Sequence, residues 1–308
     1  MADTIRRYLL NKEVVICAAD TKELVNHART LHQTFPVCTA ALGRTLTGAA
    51  MMASTGKEKE ALLTLNLKGG GPAGTVLATA NGACEVKGYI ENPYVNLPAR
   101  ADGKLDVGGA IGKDGYITVI REAGPGTEPY IGQTPLVSGE VAEDIAMYYL
   151  QSEQHPSIVY LSVWVDIDTT VIAAGGLIIS PLPGASEETL SFIESKVFEI
   201  GNYGLMLLTM EPDTILKKIF AGAELELMEE KHPVYHCGCS EERFERGIIA
   251  LGRKEIQEMI EEDGQALSLI HICVFLLRSW LRALRLFRRS PERRYHCPTE
   301  NPEGVSAR

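Results

Sequence analysis

The sequence predicts an α+β fold, with an N-terminal domain of mixed β-sheet and packed helices followed by a helical linker and a small C-terminal domain. Two helical patterns are followed by a run of short strands, then by one helix and two more strands, which is not the strict alternation of an α/β protein. After Pro181-Leu182-Pro183-Gly184 the pattern becomes wholly helical. At 308 residues the chain is long enough for about two domains with a sizeable core.

The first elements follow from local patterns. The apolar run at residues 13–18 predicts a strand. Asp20, with Glu23 three residues later, predicts the start of a helix that ends near His32. An Ala- and Leu-rich segment predicts a second helix at residues 38–54. Segments separated by Gly, Pro and Asn then predict four strands, at residues 61–67, 75–80, 84–90 and 116–121.

The later elements complete the pattern. Residues 140–152 predict a helix, and residues 158–167 and 171–179 predict two strands. Pro212 and Gly222 bracket one of the helices that follow, as helix ends favour. The four helices predicted after residue 184 span residues 187–200, 213–221, 241–251 and 255–262.

Composition restricts the class of protein. The apolar content of 45% and the charged content of 23% are ordinary for a globular protein, and the net charge of -10 argues against a general nucleic-acid binder. The first residues contain no apolar core of an export signal, and no run of 18 apolar residues predicts a membrane span. Seven cysteines in such a chain indicate cytosolic thiols, so we expect a cytoplasmic protein.

Three features have a structural interpretation that we favour over a functional one. Gly69-Gly70-Gly71-Pro72-Ala73-Gly74 matches a dinucleotide fingerprint, but the residues that follow predict a strand where that site needs a helix, so a tight hairpin is favoured. The acidic segment 138–144 suits a helix start better than an acid/base pair. The third feature is a set of cysteines in apolar surroundings, expected to be small buried side chains: Cys17, Cys38 and Cys84.

The motif Cys237-Gly238-Cys239-Ser240 points most directly to chemistry. Two thiols one residue apart suit a soft metal or a redox pair, although they could also be two plain cysteines before a helix. A structural zinc site takes four ligands, with thiolates at about 2.3 Å. Ser240 predicts a helix cap, and the positive end of that helix would favour thiolate. Other candidate ligands are His232, His236 and the later cysteines, Cys273 and Cys297.

Several long motifs resemble the 33 kDa chaperonin family, the redox-regulated heat-shock chaperones of bacteria. The resemblance covers residues 4–263. It rests on the glycine-rich run at residues 69–74, on the segments 86–93, 106–112, 135–144, 152–156 and 173–176, and on Cys237-Gly238-Cys239-Ser240-Glu241-Glu242-Arg243.

The resemblance implies a function. It implies a cytosolic, homodimeric holdase that binds unfolded proteins without ATP and that is not an enzyme, a nucleic-acid binder or a membrane protein. In the reduced state four thiolates hold one zinc ion and the chaperone is inactive. Oxidation forms disulfides and releases zinc, after which the zinc domain and linker unfold. In this chain Cys237 and Cys239 match both the metal ligands and the redox disulfide.

The chain departs from the family pattern near residue 264. The family has a second pair, Cys-x-x-Cys, about thirty residues after the first, whereas this chain has the single Cys273, with His271 as a possible substitute ligand. The expected domains are therefore an α+β domain at residues 1–180, a helical linker at 181–235, an incomplete redox-switch zinc domain at 236–264 and a non-family tail at 265–308.

The tail differs in composition from the rest of the chain. It has eight arginines, no lysine and three glutamates. One interpretation is a frameshift or assembly artefact, since residues 267–272 resemble translated adapter sequence. The other is a basic amphipathic helix that lies on an anionic membrane, with Arg278, Arg282, Arg285 and Arg289 on one face. A further alternative for the whole protein is a thiol–disulfide oxidoreductase that uses Cys237 and Cys239, because a one-residue spacer would make a strained disulfide.

Overall fold

The computed structural model describes residues 2–56, 58–124 and 126–237, together with two strands, β12 (Ala266–Leu267) and β13 (Val274–Phe275). Met1–Gly238 form one compact unit and Cys239–Arg308 a second. In the second unit β12 and β13 pair antiparallel.

The first unit contains two β-sheets and several helices. Its strands are β1 (Thr4–Leu10), β2 (Val14–Asp20), β3 (Leu62–Lys68), β4 (Thr75–Asn81), β5 (Glu85–Ile90), β6 (Tyr116–Glu122), β7 (Tyr130–Pro135), β8 (Ile158–Val165), β9 (Val171–Pro181), β10 (Leu225–Lys231) and β11 (Val234–Tyr235). Its helices are α1 (Lys22–His32), α2 (Pro36–Ser54), α3 (Val107–Ile111), α4 (Ala142–Gln151), α5 (Glu187–Glu194), α6 (Val197–Gly201), α7 (Tyr203–Met206) and α8 (Pro212–Ile219).

The two sheets differ in their pairing. The five-stranded sheet has the order β10-β1-β2-β9-β8 and is antiparallel throughout. The six-stranded sheet has the order β11-β5-β4-β3-β6-β7. All of its neighbours are antiparallel except β11 and β5, which run parallel. The predicted α+β class is confirmed, with two sheets where one mixed sheet was expected.

Helix α2 packs against both sheets and forms the centre of the main core. All its residues except Pro36 and Arg44 are buried, as expected for a helix that is apolar on every side. Small residues allow this close approach: a Cβ at Gly48 would lie 2.7 Å from Cδ1 of Ile145. The second face of the five-stranded sheet has its own core, covered by helices after β9, and strand β2 alternates between the two cores.

Most predicted elements before residue 184 are confirmed within a few residues, but the prediction of a wholly helical region after that point is wrong. Strand β10 lies in this region because its backbone pairs with the edge of β1, a long-range contact. The predicted continuous helix at 187–200 is also wrong, since α5 ends at Glu194 and α6 starts at Val197. The sequence patterns do not predict strands β1, β7, β10, β11, β12 and β13 or helices α3 and α7. The helices predicted at 241–251 and 255–262 lie outside the described residues, and the domain boundaries at 180, 235 and 264 stay predictions.

The start of α1 differs from the prediction. The capping carboxylate belongs to Asp3, whose two oxygens accept hydrogen bonds from the backbone N–H groups of Glu23 (2.9 Å) and Leu24 (2.6 Å). Asp20, the predicted cap, accepts from the N–H of Lys22 at 3.2 Å. The pairing of β1 with β2 places Thr4 opposite Asp20, which brings the neighbouring Asp3 to the helix start.

Candidate redox and metal site

The segment that leads to the Cys237 motif begins as an edge strand of the five-stranded sheet. Strand β10 pairs antiparallel with β1, and two ion pairs connect the strands. Nε of Arg6 lies 2.8 Å from a carboxylate oxygen of Glu230, and Nη1 of Arg7 lies 3.2 Å from Glu229. Partly exposed pairs of this kind contribute little stability, about 1 kcal/mol or less each. The backbone ladder therefore does most to hold β10 on the sheet.

Two side chains then direct the chain from one sheet to the other. The ammonium group of Lys231 donates to the backbone carbonyls of Ser54 (2.8 Å) and Gly82 (3.2 Å). Ser54 is the last residue of α2, so this cation also faces the negative end of the helix dipole. The ring nitrogen Nδ1 of His232 lies 3.0 Å from the carbonyl oxygen of Asp3.

Strand β11 covers the outer edge of β5 in the six-stranded sheet. Val234 pairs with Glu85 and Tyr235 with Val86. The N–H of Val234 donates to the carbonyl of Cys84 at 3.0 Å, and the N–H of His236 donates to the carbonyl of Val86 at 2.9 Å. These contacts bring the chain to Cys237 at a defined place beside the sheet.

Tyr235 anchors this strand through its side chain. Its hydroxyl donates to the carbonyl of Gly88 at 3.0 Å, and Nε2 of His32 lies 3.0 Å from the hydroxyl oxygen of Tyr235. Because the hydroxyl proton is used, Nε2–H of His32 is the donor in the second contact. The ring of His27 packs at 5.1 Å between centroids. Burial raises the pKa of Tyr235 to about 12 and lowers the pKa of His32, so both groups are neutral at pH 7.

Cys237 lies two residues after Tyr235 and is partly exposed, next to the exposed His236. A thiol in this position is accessible to an oxidant and to a metal ion. Cys239, His271 and Cys273 lie outside the described residues, so the predicted pairing of Cys237 with any of them stays a prediction. Among the side chains that the structure describes, no group of three or more His, Cys, Asp and Glu is placed to hold a metal ion.

The other described cysteines are unsuited to redox chemistry. Cys17, Cys38 and Cys84 are buried free thiols, as predicted. Burial raises the pKa of Cys17 to about 12 and that of Cys84 to about 11, and it also raises the pKa of Cys38. Their thiolate fractions at neutral pH are therefore very small, and thiolate is the reactive form.

The glycine-rich run is structural, as predicted. Residues 69–74 join the antiparallel strands β3 and β4, which confirms the hairpin. Backbone packing is tight at Gly71, where a Cβ would collide with the carbonyl of Ala110.

The acidic segment is structural as well. The Asp144 carboxylate accepts from the N–H groups of Val137 (2.7 Å), Ser138 (3.2 Å) and Val141 (3.1 Å). Glu140 lies 2.6 Å from Nη1 of Arg44 and 3.0 Å from Nη1 of Arg100. The carboxylates of Glu140 and Asp144 are thus occupied by fixed donors, which agrees with the structural interpretation of this segment.

The residues that position Cys237 could not be identified from the sequence alone. Tyr235, His32 and Lys231 carry no local motif, and their partners are more than a hundred residues away in the chain. The one local feature that points to Tyr235 is its position two residues before Cys237.

The chain matches the family described as Hsp33 protein over residues 3–274. This match extends past residue 263, the end of the resemblance found from the sequence motifs, and includes Cys273. A 33 kDa chaperonin of Alkaliphilus metalliredigens is 43% identical over 270 residues, 87% of this chain and 92% of that protein. A 33 kDa chaperonin of Acetivibrio thermocellus is 42% identical over 257 residues, 83% of this chain and 86% of that protein.

The fold is similar to a solved structure. The crystal structure of the 33 kDa chaperonin (heat shock protein 33 homolog) of Thermotoga maritima superposes with a TM-score of 0.80 at 31% sequence identity, covering 93% of this chain and 98% of that one. In the residues that the structure describes, no helix combines the length and the apolar character needed to cross a membrane.

Proposed function

The chain belongs to the Hsp33 protein family, and we propose that it is a redox-regulated, ATP-independent holdase chaperone of the cytoplasm. It binds unfolding client proteins under oxidative stress and acts as a homodimer. The observation that carries this proposal is the family match together with the place of Cys237, a partly exposed thiol two residues after the end of the short strand β11.

The family is one of non-enzymatic holdases, which confirms the prediction that the protein is not an enzyme. We therefore drop the alternative of a thiol–disulfide oxidoreductase that uses Cys237 and Cys239. The alternative of a membrane-bound tail depends on residues outside the described part of the chain, and no described contact favours it.

In the reduced protein Cys237 and Cys239 would hold zinc as thiolates, with Cys273 as a third candidate ligand and His271 as a possible fourth. Cys237 suits this role because it is accessible and is a soft sulfur donor, which zinc accepts in structural sites. Bound zinc would supply folding free energy to the segment after β11, on the order of 10 kcal/mol for a complete four-ligand site.

Oxidation would remove the thiolate ligands of this zinc site. Cys237 and Cys239 together lose two electrons and two protons to form a disulfide, and one hydrogen peroxide is reduced to two waters. The sulfurs can then no longer serve as thiolate ligands. The region before β11 already presents apolar side chains to solvent, including Val197, Phe198 (80% exposed) and Leu205, which suits the capture of unfolded polypeptides.

The number of cysteines affects how tightly this zinc site can bind its ion. Residues 236–274 contain three cysteines, Cys237, Cys239 and Cys273, where the family has four. We expect weaker zinc binding than in a four-thiolate site and a partly active chaperone even in the reduced state. A zinc titration that shows one tight, stoichiometric ion per reduced chain would contradict this expectation.

An aggregation assay tests the function. The full chain, oxidised with peroxide under mild heat, should suppress the light scattering of a thermally unfolding client, with a larger effect than the reduced chain. Cys237→Ser with Cys239→Ser should remove the dependence on peroxide. Cys17→Ala, a change in a buried thiol, should keep it. Failure of the oxidised parent chain to suppress aggregation would reject the proposal.

A further inference from the structure

The outer edge of β5 presents a row of backbone carbonyls to β11. Those of Cys84 and Val86 accept from backbone N–H groups of the segment at 3.0 and 2.9 Å. The next carbonyl on the same edge, that of Gly88, accepts from the Tyr235 hydroxyl at 3.0 Å. A side chain thus takes the place where a longer strand would supply a backbone N–H, so β11 occupies an edge suited to a longer strand.

The cover over this edge is small. Strand β11 has two residues, Val234 is half-exposed and His236 is exposed. The opposite edge of β5 is fully engaged with β4, from Val86 to Ile90. Unpaired strand edges readily pair with another extended chain. Removal of β11 would leave unpaired backbone N–H and C=O groups on the edge of β5, within a folded sheet.

An aromatic pair lies beyond the carboxyl end of β5. The N–H of Phe35 donates to the carbonyl of Pro93 at 2.8 Å, which places its ring in this region. Phe35 and Tyr94 meet edge to face at 5.7 Å between centroids and are 42% and 57% exposed. Since β11 runs parallel to β5, a longer strand in its place would be directed toward this pair.

We propose that the β5 edge is a docking site for one extended segment of an unfolded client, which adds as a parallel strand after β11 is released. The inference rests on the proposed function, because release of β11 follows from opening of the segment after Cys237. Recognition uses the backbone N–H groups that every polypeptide carries, and the Phe35 and Tyr94 rings favour apolar side chains near the end of the strand. Such chemistry suits a binder of many sequences.

Amide hydrogen exchange on the full chain tests the docking. Val86 and Gly88 point their carbonyls toward β11, and in an antiparallel strand the N–H of the same residue faces the same edge. Residue-resolved exchange at the Val86 amide, which the pairing with β11 engages, should speed up on oxidation with peroxide. It should slow again by about tenfold or more when reduced, carboxymethylated α-lactalbumin is added as a permanently unfolded client. Unchanged exchange at both amides on client binding would overturn the proposal.

A disulfide staple gives a second, independent test. Glu85 and Val234 face each other in register and are both exposed, so Glu85→Cys with Val234→Cys should lock β11 onto β5 under oxidising conditions. The stapled chain should bind the same client at least about tenfold more weakly than either single variant, since the strand contacts are lost.

The outcomes separate the inference from the proposed function. If the stapled chain and the single variants bind the client equally, the β5 edge is not the docking site although the chaperone function stands. If the oxidised parent chain fails to bind the client, the proposed function fails and this inference with it. Protection of Val86 and Gly88 that grows with protein concentration and without client would identify a second copy of the chain as the occupant and overturn the client assignment.

Discussion

The region around α2 and the segment ending at Cys237 use the same residue type in opposite ways. Cys84 lies beside the strand that leads to Cys237, since its backbone carbonyl accepts a hydrogen bond from the N–H of Val234 at 3.0 Å. Cys84 is fully buried, whereas Cys237 is partly exposed. Burial makes the Cys84 thiol inert, whereas the exposure of Cys237 leaves its thiol able to react, as their different local sequences predict.

The two regions also differ in how they are held. Helix α2 is buried between sheets over almost its whole length. The segment from Lys231 to Cys237 is held by the short pairing of β11 with β5, by the polar contacts of Lys231, His232 and Tyr235, and by the packing of Tyr235 against the main core. Fewer buried side chains therefore hold this segment than hold α2.

The largest expected contrast is in thiol reactivity. With zinc removed by a chelator at pH 8, iodoacetamide should alkylate Cys237 at least about 1,000-fold faster than it alkylates Cys17. Because the pKa of Cys17 is about 12, only about 10⁻⁴ of its thiol is ionised at that pH, and its sulfur is enclosed as well. Peptide mass spectrometry over time measures both rates, and in urea they should become similar. Comparable rates in the native protein would remove the contrast.

Removal of core volume should be the largest change in global stability. Leu46 lies in α2 with no exposed surface. Leu46→Ala should lower the free energy of unfolding by about 3 kcal/mol, the usual cost of a buried leucine. Urea denaturation measures the change. The matched control is Ile167→Ala, at a side chain 99% exposed, with an expected change within about 0.5 kcal/mol. Equal effects would show that the core does not depend on α2 packing.

The Asp3 cap should make stability depend on pH. Burial raises the pKa of Asp3 from 3.8 to about 6, outweighing the two amide hydrogen bonds that lower it, while the charges of Asp20 and Glu23 add to the rise. The folded state then binds the proton more tightly than the unfolded state between pH 4 and 6. This group's contribution to stability is therefore present below pH 4 and is lost as the pH rises through 6, by about 3 kcal/mol.

Asp3→Asn tests this dependence. The difference in unfolding free energy between the parent and Asp3→Asn should shift in favour of Asn as the pH rises from 4 to 7. Chemical denaturation at several pH values measures it, with Asp102→Asn, a change on an exposed loop, as the control. A constant difference across this range would exclude a raised pKa at Asp3.

The smallest expected effect is local to the anchor of β11. Tyr235→Phe removes the hydroxyl that donates to Gly88, at a cost of about 1 kcal/mol. Hydrogen exchange at the His236 amide should speed up by about fivefold, while α2 amides stay unchanged. Tyr94→Phe, at an exposed ring, should leave both unchanged. Equal acceleration in α2 would mean that β11 and the core open together.

Much of the fold could be predicted from local patterns. Strand β4 alternates buried and half-buried side chains, and α2 is apolar throughout, so both follow from residues near in sequence. Strands β10 and β11 could not be predicted this way. The sequence of β10, Leu225-Glu226-Leu227-Met228-Glu229-Glu230-Lys231, has good helix formers, and only its pairing with β1 makes it a strand.

The sequence by itself determined the family, the α+β class and the identity of the Cys237-x-Cys239 motif. Long motifs and residue types can be recognised without knowing which residues are in contact. Only the tertiary structure decided that Cys237 is partly exposed, that Asp3 caps α1, and that the Tyr235 hydroxyl donates to the carbonyl of Gly88 on β5. The physical reason is that burial and edge pairing depend on residues that are far apart in the chain, and a local pattern carries no information about them.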